Sequence, residues 1–198
     1  MPPKLTPKDF DPTPIPSIGD RRKDRVHLAA GRAIHQWEVV EHHFGSLFGT
    51  LLGASVPVGA LRAYGAMSAF NMRQQLLLHA ADALFHYNPN DALLAECTGI
   101  VRKIGDRAAA RRSEIAHGLV IEEHREDGIH CFLVPSYHSA RKRGLDDAPA
   151  YQYTSKEIEE FRRKFARLAG DVHRLNVAIL DWHASLPRKP RAPRKPPT

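Results

Sequence analysis

Only two cysteines, Cys97 and Cys131, occur in the 198 residues. They match no metal-ligand spacing, which argues against a disulfide scaffold or a zinc site and fits a reducing compartment. No uninterrupted apolar run approaches the ~20 residues of a membrane-spanning helix. The opening "MPPKLTPKDFDPTPIPSIGD" lacks the apolar core of a secretory signal. There is no Gly-rich phosphate loop, no GxSxG elbow and no HExxH pair, which removes the familiar hydrolase and nucleotide-kinase chemistries. No repeat recurs at solenoid periods. These absences leave a soluble cytoplasmic protein as the expectation, long enough for one domain with extensions.

The formal charge of +7 is unevenly spread. The C-terminal "PRKPRAPRKPPT" holds Arg188, Lys189, Arg191, Arg194 and Lys195 with no acid, so the body is close to neutral. Residues 187–198 cannot bury apolar surface and are expected to be a disordered basic tail, a nonspecific electrostatic anchor for nucleic acid or anionic lipid, or a solubilising end. Residues 1–18 are expected to be a disordered Pro-rich arm. Between them, residues 19–186 form the folded unit.

Within that unit, Val26, Ala30, Ala33, Trp37, Val40, Phe44, Leu47 and Leu51 recur at steps of three and four, one apolar stripe on a long helix. Pro57 is placed to begin a second helix, whose stripe runs Met67, Phe70, Gln74, Leu77, Ala81 and Leu84. Asn90 reads as the N-cap of a third, followed by Cys97, Val101, Ile104, Ala108, Arg111 and Ile115. A fourth opens at the capping-box spacing Thr154…Glu157 and continues from Ile158 to Trp182. The expected fold is therefore mainly α: a four-helix bundle with a small β-hairpin insertion, at about residues 118–153, between helices three and four. The hairpin turns at Asp127-Gly128, and "YQYT" adds a third short strand.

Two sets invite a metal. His35, Glu38 and His42 share one helical face, and His79, Asp82 and His86 repeat the spacing. At about 100° per residue both sets lie opposite their own apolar stripes, whereas bundle metal ligands project inward. A metal-binding bundle is thus the weakest of three functional readings; neither a metal nor another cofactor is expected. Gln74, inside a stripe, is expected to be a satisfied core amide.

The stretch "RRSEIAHGLV", residues 111–120, closes the third helix. Arg-to-His spacings of this kind arise by chance, and Arg22…His27, Arg125…His130 and Arg167…His173 are examples. Arg112…His117 differs in context: Ser113 follows the arginine and Gly118, a helix terminator, follows the histidine. "RSEIAHG" resembles the R-(polar)-x-x-x-H signature of HEPN domains, commonly written RN-x-I-A-H-G. Ser113 stands where the family commonly has Asn. The resemblance extends in outline over residues 20 to 183, but only these seven residues carry specificity.

What the resemblance implies is a homodimer whose two motifs meet in a metal-independent ribonuclease site, often in toxin–antitoxin or phage-defence systems. RNA, a second copy and an antitoxin protein are the implied partners, and no membrane. The residue types suit the chemistry. Histidine transfers protons near neutral pH, and an arginine fork grips phosphate oxygens. One histidine per chain supplies half of an acid–base pair, which a two-fold dimer completes. Arg112, Ser113 and His117 are the expected catalytic set. Arg111, the rival arginine, lies nearer the apolar stripe and is given the structural role; it is also grouped with the five tail cations as an RNA contact. On an ideal helix Ser113 and His117 share a face, whereas Arg112 and His117 lie about 140° apart. An inactive HEPN-like binding module is the second reading, for which Ser113 is the hint.

Overall fold

The computed structural model describes residues 4–54, 57–136 and 149–186. The chain is mainly helical with one two-stranded antiparallel hairpin. In order come a 3₁₀ turn (Pro7–Phe10), α1 (Lys23–Leu51), α2 (Pro57–Gly65), α3 (Phe70–Tyr87) and α4 (Asp91–Thr98). A π-helical stretch (Gly99–Ile104), α5 (Gly105–His117), β1 (Gly118–Arg125), β2 (Gly128–Pro135) and α6 (Ser155–Ser185) complete it. Among the described residues no helix is long and apolar enough to cross a membrane.

α1 and α6 pack against each other most extensively, because their stripes supply the largest buried side chains. Trp37 stands edge-on to Phe70 and Phe165, with ring centroids 5.3 and 5.4 Å away. α6 begins as its sequence demands: Thr154 N–H donates to the Glu157 carboxylate at 2.8 Å, closing the capping box. Asn90 caps α4 by accepting the Leu93 N–H at 3.1 Å.

The expected second helix is two. α2 ends at Gly65, and the chain turns through residues 66–69 before α3 starts. The break is held by polar contacts that the apolar stripe did not register. The Met67 carbonyl accepts from Arg73 Nε at 2.7 Å, and Arg73 reaches the buried Glu41 carboxylate at 3.1 Å. Tyr64, at the end of α2, donates to the same carboxylate at 3.0 Å. α2 can lie this close to α1 because Gly45 has no side chain; a Cβ there would come within 2.8 Å of Leu61 Cδ2.

α4, the π-helical stretch and α5 run on without interruption, since Gly99 and Gly105 both keep right-handed helical angles. Gln74 sits beside this stretch and donates to the Val101 carbonyl at 2.7 Å, the satisfied core amide its position called for.

Residues 4–18, expected to be disordered, pack on the body instead. Leu5 and Phe10 are buried, and Phe10 stacks on Phe165 at 5.9 Å. The arm's proline content obscured these two apolar anchors. Further on, Asp20 pairs with Cys131 through backbone hydrogen bonds of 2.7 and 3.1 Å, and its carboxylate accepts from Ser155 N–H and Oγ–H at 2.7 Å each. The basic tail, with Arg188, Lys189, Arg191, Arg194 and Lys195, lies outside the described residues.

β1 and β2 join through a two-residue turn, Glu126-Asp127, closed by Arg125 opposite Gly128, whose φ of +117° favours glycine. Tyr153 of "YQYT" makes a single bridge to Leu133, with hydrogen bonds of 2.9 and 3.0 Å.

Gly118 terminates α5 for a different reason from the one its sequence suggested. Its φ of −74° and ψ of 155° are extended, not left-handed. What demands glycine is proximity: a Cβ would lie 2.5 Å from Leu133 Cδ2 and 2.9 Å from the Glu114 carbonyl oxygen. Gly118→Ala is therefore expected to cost about 1–3 kcal/mol, because the buried Leu133 and a helix carbonyl must both yield. Thermal denaturation read by circular dichroism checks this; an unchanged midpoint would contradict it.

Candidate functional site

The last two turns of α5 bring together five polar side chains with different fates. Arg111 faces the core and is 8% exposed. One terminal nitrogen donates to Tyr153 Oη at 3.1 Å and the other pairs with Glu114 Oε1 at 2.8 Å. Tyr153 in turn donates to Glu114 Oε2 at 2.5 Å, closing a triangle. Tyr151 stacks on Tyr153 and its hydroxyl donates to the Glu114 carbonyl at 3.1 Å. That carbonyl is one of the four left without a partner at a helix C-terminus, so Tyr151 caps α5 from outside it.

The triangle's ionisation follows from its surroundings. Burial raises the Glu114 carboxyl above its ordinary value of 4.5, opposed by the hydrogen bond from Tyr153 and the Arg111 charge. Burial and the neighbouring Glu114 charge push the Tyr151 hydroxyl up to about 12 and raise Tyr153 as well. Both phenols thus remain donors at neutral pH.

Arg112, Ser113 and His117 are left outside this network. Arg112 is half-buried, Ser113 and His117 are exposed, and none forms a hydrogen bond or ion pair among the described residues. Among the described residues the Nε atoms of Arg111 and Arg112 are both buried without a hydrogen-bond partner. α5 stays helical through His117. The ~140° between Arg112 and His117 on such a helix therefore persists, while Ser113 and His117 share a face. The chain by itself joins neither pair through a hydrogen bond. It presents a helix end with a half-buried Arg112 and an exposed His117, apart from the open groove of about 640 Å³ lined by His27, Leu28, Arg32, His35 and Arg162.

The other sequence candidates separate cleanly. His35, Glu38, His42, His79, Asp82 and His86 are all exposed. Among the described residues no group of three or more His, Cys, Asp or Glu is placed to hold a metal ion. In the Arg125…His130 pair, His130 is 1% exposed; its Nε2 lies 2.7 Å from Asp127 Oδ1 and its Nδ1 accepts the Gly19 N–H at 3.0 Å. Arg125 pairs with Glu123. Both clamp the arm onto the hairpin.

Glu114, Tyr151 and Tyr153 escaped the sequence reading. The i, i+3 spacing of Arg111 and Glu114 was the available signal, but nothing local links it to tyrosines some forty residues later. Comparison with family models, curated proteins and solved structures returned no match for this chain.

Proposed function

We propose that this chain is a metal-independent ribonuclease of the HEPN type, acting as a homodimer in which Arg112 and His117 contribute to a site that a second chain completes. The observation that carries this reading is the division of labour at the end of α5. Arg111 is committed to Glu114 and Tyr153, whereas Arg112 and the exposed His117 make no hydrogen bond or ion pair among the described residues. Of two adjacent arginines, both at spacings the motif allows, the one nearer the histidine is left without a hydrogen bond or ion pair among the described residues and is the one assigned to a phosphate. In the four-helix reading, α1, α3, the continuous helix from α4 to α5, and α6 are the bundle, and α2 is a side helix.

The chemistry requires no metal. The RNA 2′-oxygen attacks the adjacent phosphorus as its proton passes to a base, and the 5′-oxygen leaves with a proton from an acid. His117 serves one of these transfers, and Arg112 balances the charge that builds on the non-bridging oxygens. The second proton-transfer group comes from the second chain. Ser113, one helical turn from His117, supplies the hydroxyl that orients the imidazole. The partners are RNA and a second copy, with an antitoxin if the activity is a toxin or phage-defence effector, and the compartment is the cytoplasm.

A second reading, an inactive HEPN-like RNA- or protein-binding module, is favoured by Ser113, which makes a weaker partner for the histidine than Asn. Incubating RNA with the purified protein in EDTA separates the two: the ribonuclease leaves 2′,3′-cyclic phosphate ends, and the module leaves RNA intact. The tail gives a further expected result. Its five cations act through counterion release, so a chain ending at Leu186 binds RNA more weakly at low salt yet keeps the same cleavage sites. A changed cleavage pattern would contradict a purely electrostatic tail.

A further inference from the structure

α1 contains a glycine that its packing does not require. Gly31 keeps a right-handed helical backbone, and a Cβ there would meet nothing within 4 Å. Glycine weakens a helix interior relative to alanine, but it also lets another molecule come close to the backbone. Gly45, on the same helix, has its reason in Leu61, whereas Gly31 has none among the described residues. It lines the open groove of about 640 Å³. His27 and His35 stand one turn to either side of it on α1, Arg32 follows it, and Arg162 comes from α6. Leu28, also on the groove, is 55% exposed.

The groove is cationic in a body that is close to neutral. Residues 21–36 hold Arg21, Arg22, Lys23, Arg25 and Arg32 against Asp24 alone. Among the described residues that line the groove there is no carboxylate. Glu159, next to it, accepts from Arg162 Nε at 2.5 Å and stands 3.6 Å from a terminal nitrogen of Arg32. One carboxylate shared in this way does not saturate two guanidinium groups, each with several N–H donors. His27 and His35 make no hydrogen bond or ion pair among the described residues. We infer that this groove binds a single strand of RNA, with phosphates on Arg32 and Arg162 and bases against the imidazoles and Leu28. This deepens the ribonuclease reading above and rests on it for the choice of RNA.

The lining residues select this occupant. Imidazole rings and guanidinium planes stack on unpaired bases, and guanidinium groups also grip phosphate oxygens. An acidic peptide brings the charge without the ring faces. A lipid surface meets a flat or convex cationic face, not a concave one. At about 1.5 Å per residue the two histidines are set about 12 Å apart along α1, a row that suits a chain of phosphates better than a single one. The strand passes over Gly31, where a side chain would narrow its path.

Binding is read by fluorescence anisotropy of the full chain on a short single-stranded RNA whose 2′-oxygens are methylated, so that it is held but not cut. Gly31→Gln fills the groove without changing its charge. Glutamine is the better helix former, so the melting midpoint should hold or rise while RNA affinity falls about tenfold or more. Arg32→Gln removes a phosphate contact at an exposed position. The slope of log affinity against log salt should then fall by about 0.7, the single-strand value for one contact. The basic tail is the same in every chain, so these differences report the groove. Wild-type affinity and salt slope in both variants overturn the proposal. So does a polyglutamate peptide that displaces the RNA at equal charge, or a nucleoside monophosphate that competes as well as the strand. Unmodified RNA given to the same chains keeps the two readings apart. The variants should raise KM and leave kcat unchanged, because the groove lies apart from Arg112 and His117. Groove-dependent binding without cleavage removes the ribonuclease and leaves the site. Cleavage by both variants with the wild-type KM removes the site and leaves the ribonuclease.

Discussion

His117→Ala should abolish most RNA cleavage while leaving the fold intact. The imidazole is exposed, makes no hydrogen bond among the described residues and fills no core volume, so its loss leaves nothing unpaired. If it transfers a proton in the reaction, removing it costs about 10²–10⁴-fold in rate. Arg112→Ala removes phosphate stabilisation and is expected to cost a similar factor. The double variant should be little worse than either single one, because groups that act in the same transition state do not contribute independently. Circular dichroism of all three should match the wild type. Arg125→Ala and His130→Ala provide the contrast: they belong to the clamp between arm and hairpin and should lower stability without abolishing cleavage. Wild-type cleavage by a folded His117→Ala chain would remove His117 from the chemistry.

The helices were legible because each rests on one repeated physical demand. Every third or fourth residue of α1 and α6 must be apolar to meet the other helix, and that periodicity survives in a bare sequence. The caps at Asn90 and Thr154 were legible for a similar reason, since their partners lie within a few residues. The division between α2 and α3 was not. It depends on Arg73 reaching Glu41 on another helix, a contact that no local pattern encodes. The ordered arm was hidden by its composition, in which Leu5 and Phe10 are outnumbered by prolines and charges.

At the candidate site the same limit applies. The motif's position at a helix end could be read directly, as could the greater burial of Arg111 relative to Arg112. The partners that hold Arg111 could not, because Tyr151 and Tyr153 arrive from beyond the hairpin. The expected geometry of Gly118 failed for a related reason. A left-handed cap is a local property and leaves a local signal, whereas the close approach of Leu133 is tertiary.

Arg111→Ala should separate structure from chemistry most sharply, because it lies next to Arg112 and is expected to act on a different quantity. Among the described residues its guanidinium is the only cation paired with Glu114, whose side chain is 21% exposed. Truncation leaves a largely buried carboxylate with Tyr153 alone. Breaking a buried pair typically costs about 3–5 kcal/mol, and the lower end applies here because Glu114 keeps some contact with water. For a chain of this length about 3 kcal/mol lowers the melting midpoint by about 6–12 °C. The loss should depend on pH in a definite direction. The Glu114 carboxyl is already raised in the folded chain, so its contribution to stability is greatest below its ordinary 4.5 and declines as pH rises towards the folded value. Removing Arg111 raises that value further, because one of the two influences holding it down is gone. The difference between wild type and Arg111→Ala should therefore be smaller at about pH 4, below the ordinary value of the carboxyl, than at neutral pH. Adding Glu114→Gln to Arg111→Ala should recover much of the stability at neutral pH, since no buried charge then remains. Melting curves of the four chains at both pH values test this. A pH-independent loss, or no recovery in the double variant, would mean that Arg111 holds the helix end by packing and not by charge.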